Sequence, residues 1–101
     1  MKRHLVILAY FAAASPAAAE VIHVDVNNVS YAPAKISAHA GDTIEWDNKD
    51  FVAHTATARN KDWDINLPPH GKGSAQVKKP GHVDYYCRYH PNMKGEIEVS
   101  P

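Results

Sequence analysis

The run Val83-Asp84-Tyr85-Tyr86-Cys87-Arg88-Tyr89-His90-Pro91-Asn92-Met93 decides how this chain of 101 residues is read. Val83, Tyr85 and Cys87 alternate with Asp84 and Tyr86. That is the period of a β-strand with one apolar face, and it turns Cys87 toward that face. Cys87, His90 and Met93 then follow at intervals of three. One tight loop leaving a strand can fold a thiolate, an imidazole and a thioether so spaced onto a single metal ion.

The same period recurs on both sides of this run. Ile22, Val24 and Val26 alternate with His23 and Asp25, and Ala34, Ile36 and Ala38 with Lys35 and Ser37. Ile44 and Trp46 alternate with Thr43, Glu45 and Asp47, and His54, Ala56 and Ala58 with Thr55 and Thr57. Ala75 and Val77 flank Gln76, and Ile97 and Val99 alternate with Glu96 and Glu98. Gly41-Asp42, Asn48-Lys49-Asp50, Pro68-Pro69-His70-Gly71 and Lys79-Pro80-Gly81 supply turns between the runs. No stretch has a helical period. Short strands at this spacing predict an all-β fold, an antiparallel β-sandwich in one domain. Parity places His54 on the inward face with Ala56 and Ala58, and His23 and His39 outward.

The N-terminus has the pattern of an export signal. Lys2 and Arg3 precede an apolar run from Leu5 to Ala14, and small residues follow to Ala19. The run is about half the 20 residues a bilayer span needs. Residues 1–19 are therefore expected to be a signal peptide and residues 20–101 the mature domain, delivered to the periplasm without stable membrane insertion. The mature chain would carry a small net negative charge with no basic stripe, which excludes a nucleic-acid partner. A single cysteine, Cys87, cannot form an intramolecular disulfide. In an oxidising compartment it must pair between chains, react or bind metal. With six histidines and one methionine left after removal of residues 1–19, chance would produce the C-x-x-H-x-x-M spacing about once in a thousand such chains.

The donor types name the metal. One thiolate, two imidazoles and a weak axial thioether suit copper cycling between Cu(I) and Cu(II), whereas structural zinc favours more thiolates and no methionine. His54 is the candidate for the second imidazole, because it faces inward beside a turn.

These residues resemble those of the cupredoxins, and most closely the amicyanin group with its short C-x-x-H-P-x-M loop. Gly41-Asp42-Thr43-Ile44-Glu45-Trp46 resembles the family's G-D-x-φ-x-W strand, and Gly81 leads into the cysteine strand as the family's turn does. Val83 stands where many relatives have an aromatic residue, and Ala53 where some have proline. The resemblance implies a Greek-key sandwich of about seven to eight strands. It implies one copper ion held by His54, Cys87, His90 and Met93, with Asn48 bracing the ligand loop. It also implies one-electron transport with His90 as the electron port. Pro91, Ala53 and Phe51, with Pro68 and Pro69 beside them, would form an apolar patch for transient redox protein partners of a monomeric carrier. Four protein ligands leave no open position for substrate, which argues against an enzyme. The runner-up is a periplasmic copper-binding carrier or resistance protein, against which the single mature methionine counts.

Overall fold

The computed structural model describes residues 18–101, so the expected signal peptide lies almost wholly outside the described residues. Nine strands form two facing sheets, and no helix occurs among the described residues. The strands are β1 (Val21–Val26), β2 (Tyr31–Ala32), β3 (Lys35–His39), β4 (Thr43–Asn48), β5 (His54–Ala58), β6 (Asp64–Leu67), β7 (Lys72–Gln76), β8 (Gly81–Tyr86) and β9 (Lys94–Ser100). One sheet runs β2-β1-β4-β7 and the other β3-β9-β8-β5-β6.

The alternating runs of the sequence become β1, β3, β4, β5, β7, β8 and β9. Two further strands raise the count to nine. β2 has only two residues, and β6 is a four-residue segment in which Ile65 and Leu67 alternate with Asp64 and Asn66. Most ladders are antiparallel, but β1 pairs with β4 and β3 with β9 in parallel. The chain leaves the first sheet after β2, runs through β3 in the second, and returns as β4 in the direction of β1. A crossover between layers permits parallel neighbours that a hairpin cannot supply.

The inward faces make the core. Val24, Val26, Ile44, Trp46, Ala56, Leu67, Tyr85 and Ile97 are buried between the sheets. Within it Tyr31, Tyr85 and Trp46 pack tilted or edge-on, and Trp63 joins them from the rim, with ring centroids 4.6–5.6 Å apart. The Trp46 indole N–H donates to the Tyr85 hydroxyl at 3.2 Å, so the buried polar tips satisfy each other. Burial pushes the Tyr85 hydroxyl pKa up to about 12. Gly95 lies opposite Tyr85 in the β8–β9 ladder, and the ring occupies the place a side chain at 95 would need.

The register also gathers the functional loops. Parallel pairing puts the C-terminal ends of β1 and β4 side by side, at Val26 and Asn48. β5 starts at His54, β6 ends at Leu67 opposite it, and β8 closes on β9 at Tyr86 and Lys94. Loops 27–30, 49–53, 68–71 and 87–93 thus cluster at one end of the sandwich.

Candidate metal centre

Cys87 follows the last residue of β8 and is fully buried, as its parity with Val83 and Tyr85 predicts. The backbone then turns twice. His90 N–H donates to the Cys87 carbonyl at 3.3 Å, Met93 N–H to the His90 carbonyl at 2.8 Å, and Cys87 N–H to the Met93 carbonyl at 3.1 Å. These bonds close the loop on itself, so that Cys87, His90 and Met93 are held by one compact unit. Met93 is buried and His90 half-buried.

His54 opens β5 on the same inward face and is fully buried. Its Nδ1 lies 3.7 Å from Cys87 Sγ, and His90 Nδ1 lies 3.8 Å from the same sulfur. The two imidazoles are 5.0 Å apart at their centroids. All three donor atoms fall within 4.8 Å of one another. A first-row metal ion about 2.3 Å from sulfur and about 2.0 Å from each nitrogen, in a trigonal plane, would set sulfur and nitrogen about 3.7 Å apart. The observed spacing fits that plane. The sequence-selected residues His54, Cys87 and His90 are therefore brought together, with Met93 buried at the end of the loop.

The surroundings hold this set. Thr55 N–H donates to Cys87 Sγ at 3.4 Å, the kind of bond that steadies a thiolate. The Thr55 hydroxyl accepts Arg88 N–H at 2.9 Å, and the Thr55 carbonyl accepts the Tyr31 hydroxyl. Thr55 thus pins both the sulfur and the start of the ligand loop to β5. Asn48 was expected to brace the 87–93 loop, and its side chain works elsewhere. Its Nδ2 donates to the carbonyls of Val52, Leu67 and Pro68 at 2.9–3.1 Å, and its Oδ1 accepts Asp50 N–H at 2.9 Å. Asn48 ends β4 in the sheet opposite β5, so it reaches the loop that delivers His54, while Thr55 braces the cysteine loop.

Thr55 and Asp50 carry no signal of a role at the site in the sequence. Thr55 alternates with inward residues, an outward polar position by parity; it is buried, with its hydroxyl bonded to Arg88 N–H and Thr57 Oγ1. Asp50 belongs to a turn signal in the sequence. Its carboxylate accepts a hydrogen bond from His54 Nε2 at 2.8 Å, which places the imidazole proton on Nε2 and leaves the Nδ1 lone pair facing the sulfur. The N–H of Val29, then that of Asn28, then His54 hold the Asp50 carboxyl below the usual carboxylate range.

Around the half-buried His90 lie exposed apolar residues. Val29, Phe51, Val52 and Tyr89 are four of the five exposed large hydrophobic residues among those described, and all four sit on the loops of this end. Phe51, the most exposed of them, packs edge-on against His70. Val29, Tyr89, His90, Pro91 and Met93 line a shallow surface cleft.

The remaining histidines keep to the surface. His23 pairs with Glu45 at 3.0 Å across β1 and β4, and His39 lies exposed beside Asp42. His82 sits among Asp84, Glu96 and Glu98 on the outer face of the second sheet. Trp46 is core and Trp63 half-buried at the rim.

A model of the cupredoxin-like domain matches residues 3–99. The methylamine utilization protein MauL of Methylorubrum extorquens is 28% identical over 91 residues, which cover 86% of this chain and 80% of that protein. Amicyanin of Paracoccus denitrificans is 26% identical over 104 residues, covering 88% and 72%. Among solved structures, a purple cupredoxin from Nitrosopumilus maritimus superposes with a TM-score of 0.71 at 22% identity, over 78% of this chain and 99% of that one. An oxidized mutant of amicyanin superposes with a TM-score of 0.71 at 23% identity, over 88% and 89%.

Proposed function

The chain belongs to the cupredoxin-like family, and from that premise we propose that it is a periplasmic blue-copper electron carrier with one copper ion per chain. One observation carries the reading: two imidazole Nδ1 atoms stand 3.7 and 3.8 Å from a single buried sulfur. In this reading His54, Cys87 and His90 would hold the ion, with Met93 as a fourth, weaker donor. Copper bound there would supply a one-electron Cu(I)/Cu(II) couple. Similar solved structures include Cu(I) forms of amicyanin mutants, which supports the choice of metal.

The chain's own residues do the rest. His54 is held by Asp50, and Cys87 by Thr55 and the closed loop, so the donors would keep their places as the copper changed oxidation state. Little reorganisation is the requirement for fast electron transfer. His54, Cys87 and Met93 are sealed in the core, so the site carries charge without admitting substrate, as befits a carrier. His90 reaches the surface beside Val29, Tyr89 and Pro91 and is the exit for the electron in this reading. A patch of this size suits brief encounters with redox partner proteins. Export rests on the signal pattern of residues 1–19.

Addition of Cu(II) to residues 20–101 tests the reading. An intense blue absorption band with reversible one-electron cycling is expected, and Cys87→Ser should abolish the colour. A colourless or irreversible adduct would defeat the proposal. Sequencing of the exported protein should find its N-terminus at Glu20, within a residue or two.

A further inference from the structure

The loop that precedes His54 has a second attachment. Asp50 accepts three hydrogen bonds on its carboxylate: Asn28 N–H at 2.8 Å, Val29 N–H at 3.0 Å and His54 Nε2–H at 2.8 Å. Its own backbone is fixed on both sides. The Asp50 N–H donates to Asn48 Oδ1 at 2.9 Å, and its carbonyl accepts His70 N–H at 3.2 Å. The carboxylate therefore has little freedom of its own, and the histidine it touches is fully buried.

The two backbone donors come from an unusual place. Asn28 and Val29 both have left-handed backbone, with φ of 53° and 55°. Asparagine tolerates that conformation, but a β-branched residue there is a steric outlier. Successive left-handed residues turn their N–H groups toward one point, and here that point is the Asp50 carboxylate. Asn27 and Ser30 close the turn with reciprocal backbone bonds at 3.0 and 3.1 Å. Strain at such positions persists where the surroundings over-determine it, and the anion and its histidine supply that constraint.

We propose that Asp50 is a positioning residue for the metal centre, which the strained Asn28–Val29 turn clamps so that it aims His54 Nδ1 at the ion and lends it negative charge. This deepens the copper reading and rests on it. A carboxylate on the far nitrogen of a ligating imidazole makes that ring more basic. It stabilises Cu(II), the more highly charged state, more than Cu(I). The β1–β2 turn thereby belongs to the metal centre, although it lies more than 20 residues from His54 in sequence.

Asp50→Asn and Asp50→Ala test this with Cu(II) as the probe, by affinity, reduction potential and the electron paramagnetic resonance signal of the oxidised site. Asparagine can still accept from His54 but carries no charge; alanine loses both. Cu(II) affinity is expected to fall 10- to 100-fold in Asp50→Ala and less in Asp50→Asn. The potential should rise in the same order, by about 59 mV for each tenfold loss of Cu(II) over Cu(I) affinity. Asp50→Glu should recover part of the wild-type values. Asp50→Asn is nearly isosteric, so it keeps the test open if Asp50→Ala folds poorly. A blue wild type whose Asp50→Asn and Asp50→Ala variants keep its affinity, potential and resonance signal would overturn the role of Asp50 alone. A wild type that takes up no Cu(II) would overturn the copper reading and this one with it.

Discussion

His54 and His82 make an instructive pair. Each imidazole has a carboxylate on one nitrogen, Asp50 on His54 at 2.8 Å and Glu98 on His82 at 3.0 Å. Each belongs to a set of three donor atoms lying within 4.8 Å of one another, the second set being His82, Asp84 and Glu96. By spacing alone the two look alike. They differ in burial and in what faces the other nitrogen. His54 is sealed in the core with a sulfur opposite Nδ1, so one nitrogen donates and the other keeps its lone pair for a metal. His82 stands on an open sheet face with Asp84 at 2.8 Å from Nε2, so both nitrogens face acceptors and the ring is satisfied by holding two protons. Glu98, then Asp84, raise its pKa accordingly. A buried soft donor makes a metal centre, whereas exposed carboxylates around a histidine make an ion-pair hub whose strength water and salt reduce.

The sharpest way to break this contrast is to delete each ring. His54→Ala should abolish the blue band of the copper-loaded protein, while His82→Ala should leave its intensity and the reduction potential unchanged. An equal loss of colour in both variants would erase the distinction. The next largest effect concerns how the buried site is held. Thr55→Val keeps the shape but removes the acceptor for Arg88 N–H, leaving that donor without its partner. Unfolding by denaturant should show a loss of about 1–3 kcal/mol, together with faster release of Cu(II). The exposed carboxylate hub offers no position where a similar substitution should matter as much.

The core that carries the site should respond next. Gly95→Ala would press a methyl group into the Tyr85 ring, and the whole aromatic stack must shift to admit it. Overpacking of this kind costs about 1–3 kcal/mol, measurable as a lower midpoint of thermal unfolding with the blue band retained. The smallest effect belongs to the surface. The pKa of His82 is raised above its ordinary 6.5 in the folded chain. Its contribution is therefore fully present below pH 6.5 and is lost as pH rises through the folded value. Wild-type stability should decline slightly over that window relative to His82→Gln, and the difference should shrink in high salt. A difference that grew with pH would contradict the assigned protonation.

The legible part of the centre was the part encoded over short distances. Cys87, His90 and Met93 stand out because one loop carries them, and His54 stands out because strand parity reports which way a side chain faces. Asp50, Thr55 and the Asn28–Val29 turn act across sheets and loops. Thr55 meets Cys87 over 32 residues and Asp50 meets Asn28 over 22, and no periodicity records such meetings. The same holds for the fold. Alternation revealed seven strands, but it says nothing of direction, so the parallel β1–β4 and β3–β9 ladders came only with the structure. β2 has only two residues and can show no period, and the alternation of β6 spans a mere four.

Unequal exposure among the four donors sets the route by which metal comes and goes. His54, Cys87 and Met93 are closed off by the two sheets, while the His90 ring stands half open to solvent. Of the four side chains, that ring is the one an ion from solvent would meet first. A finished sandwich can thus be loaded through a single side chain, without parting its sheets. Exchange by that route would require His90 to swing aside, so a bulky contact resting on its face would also keep the metal in place.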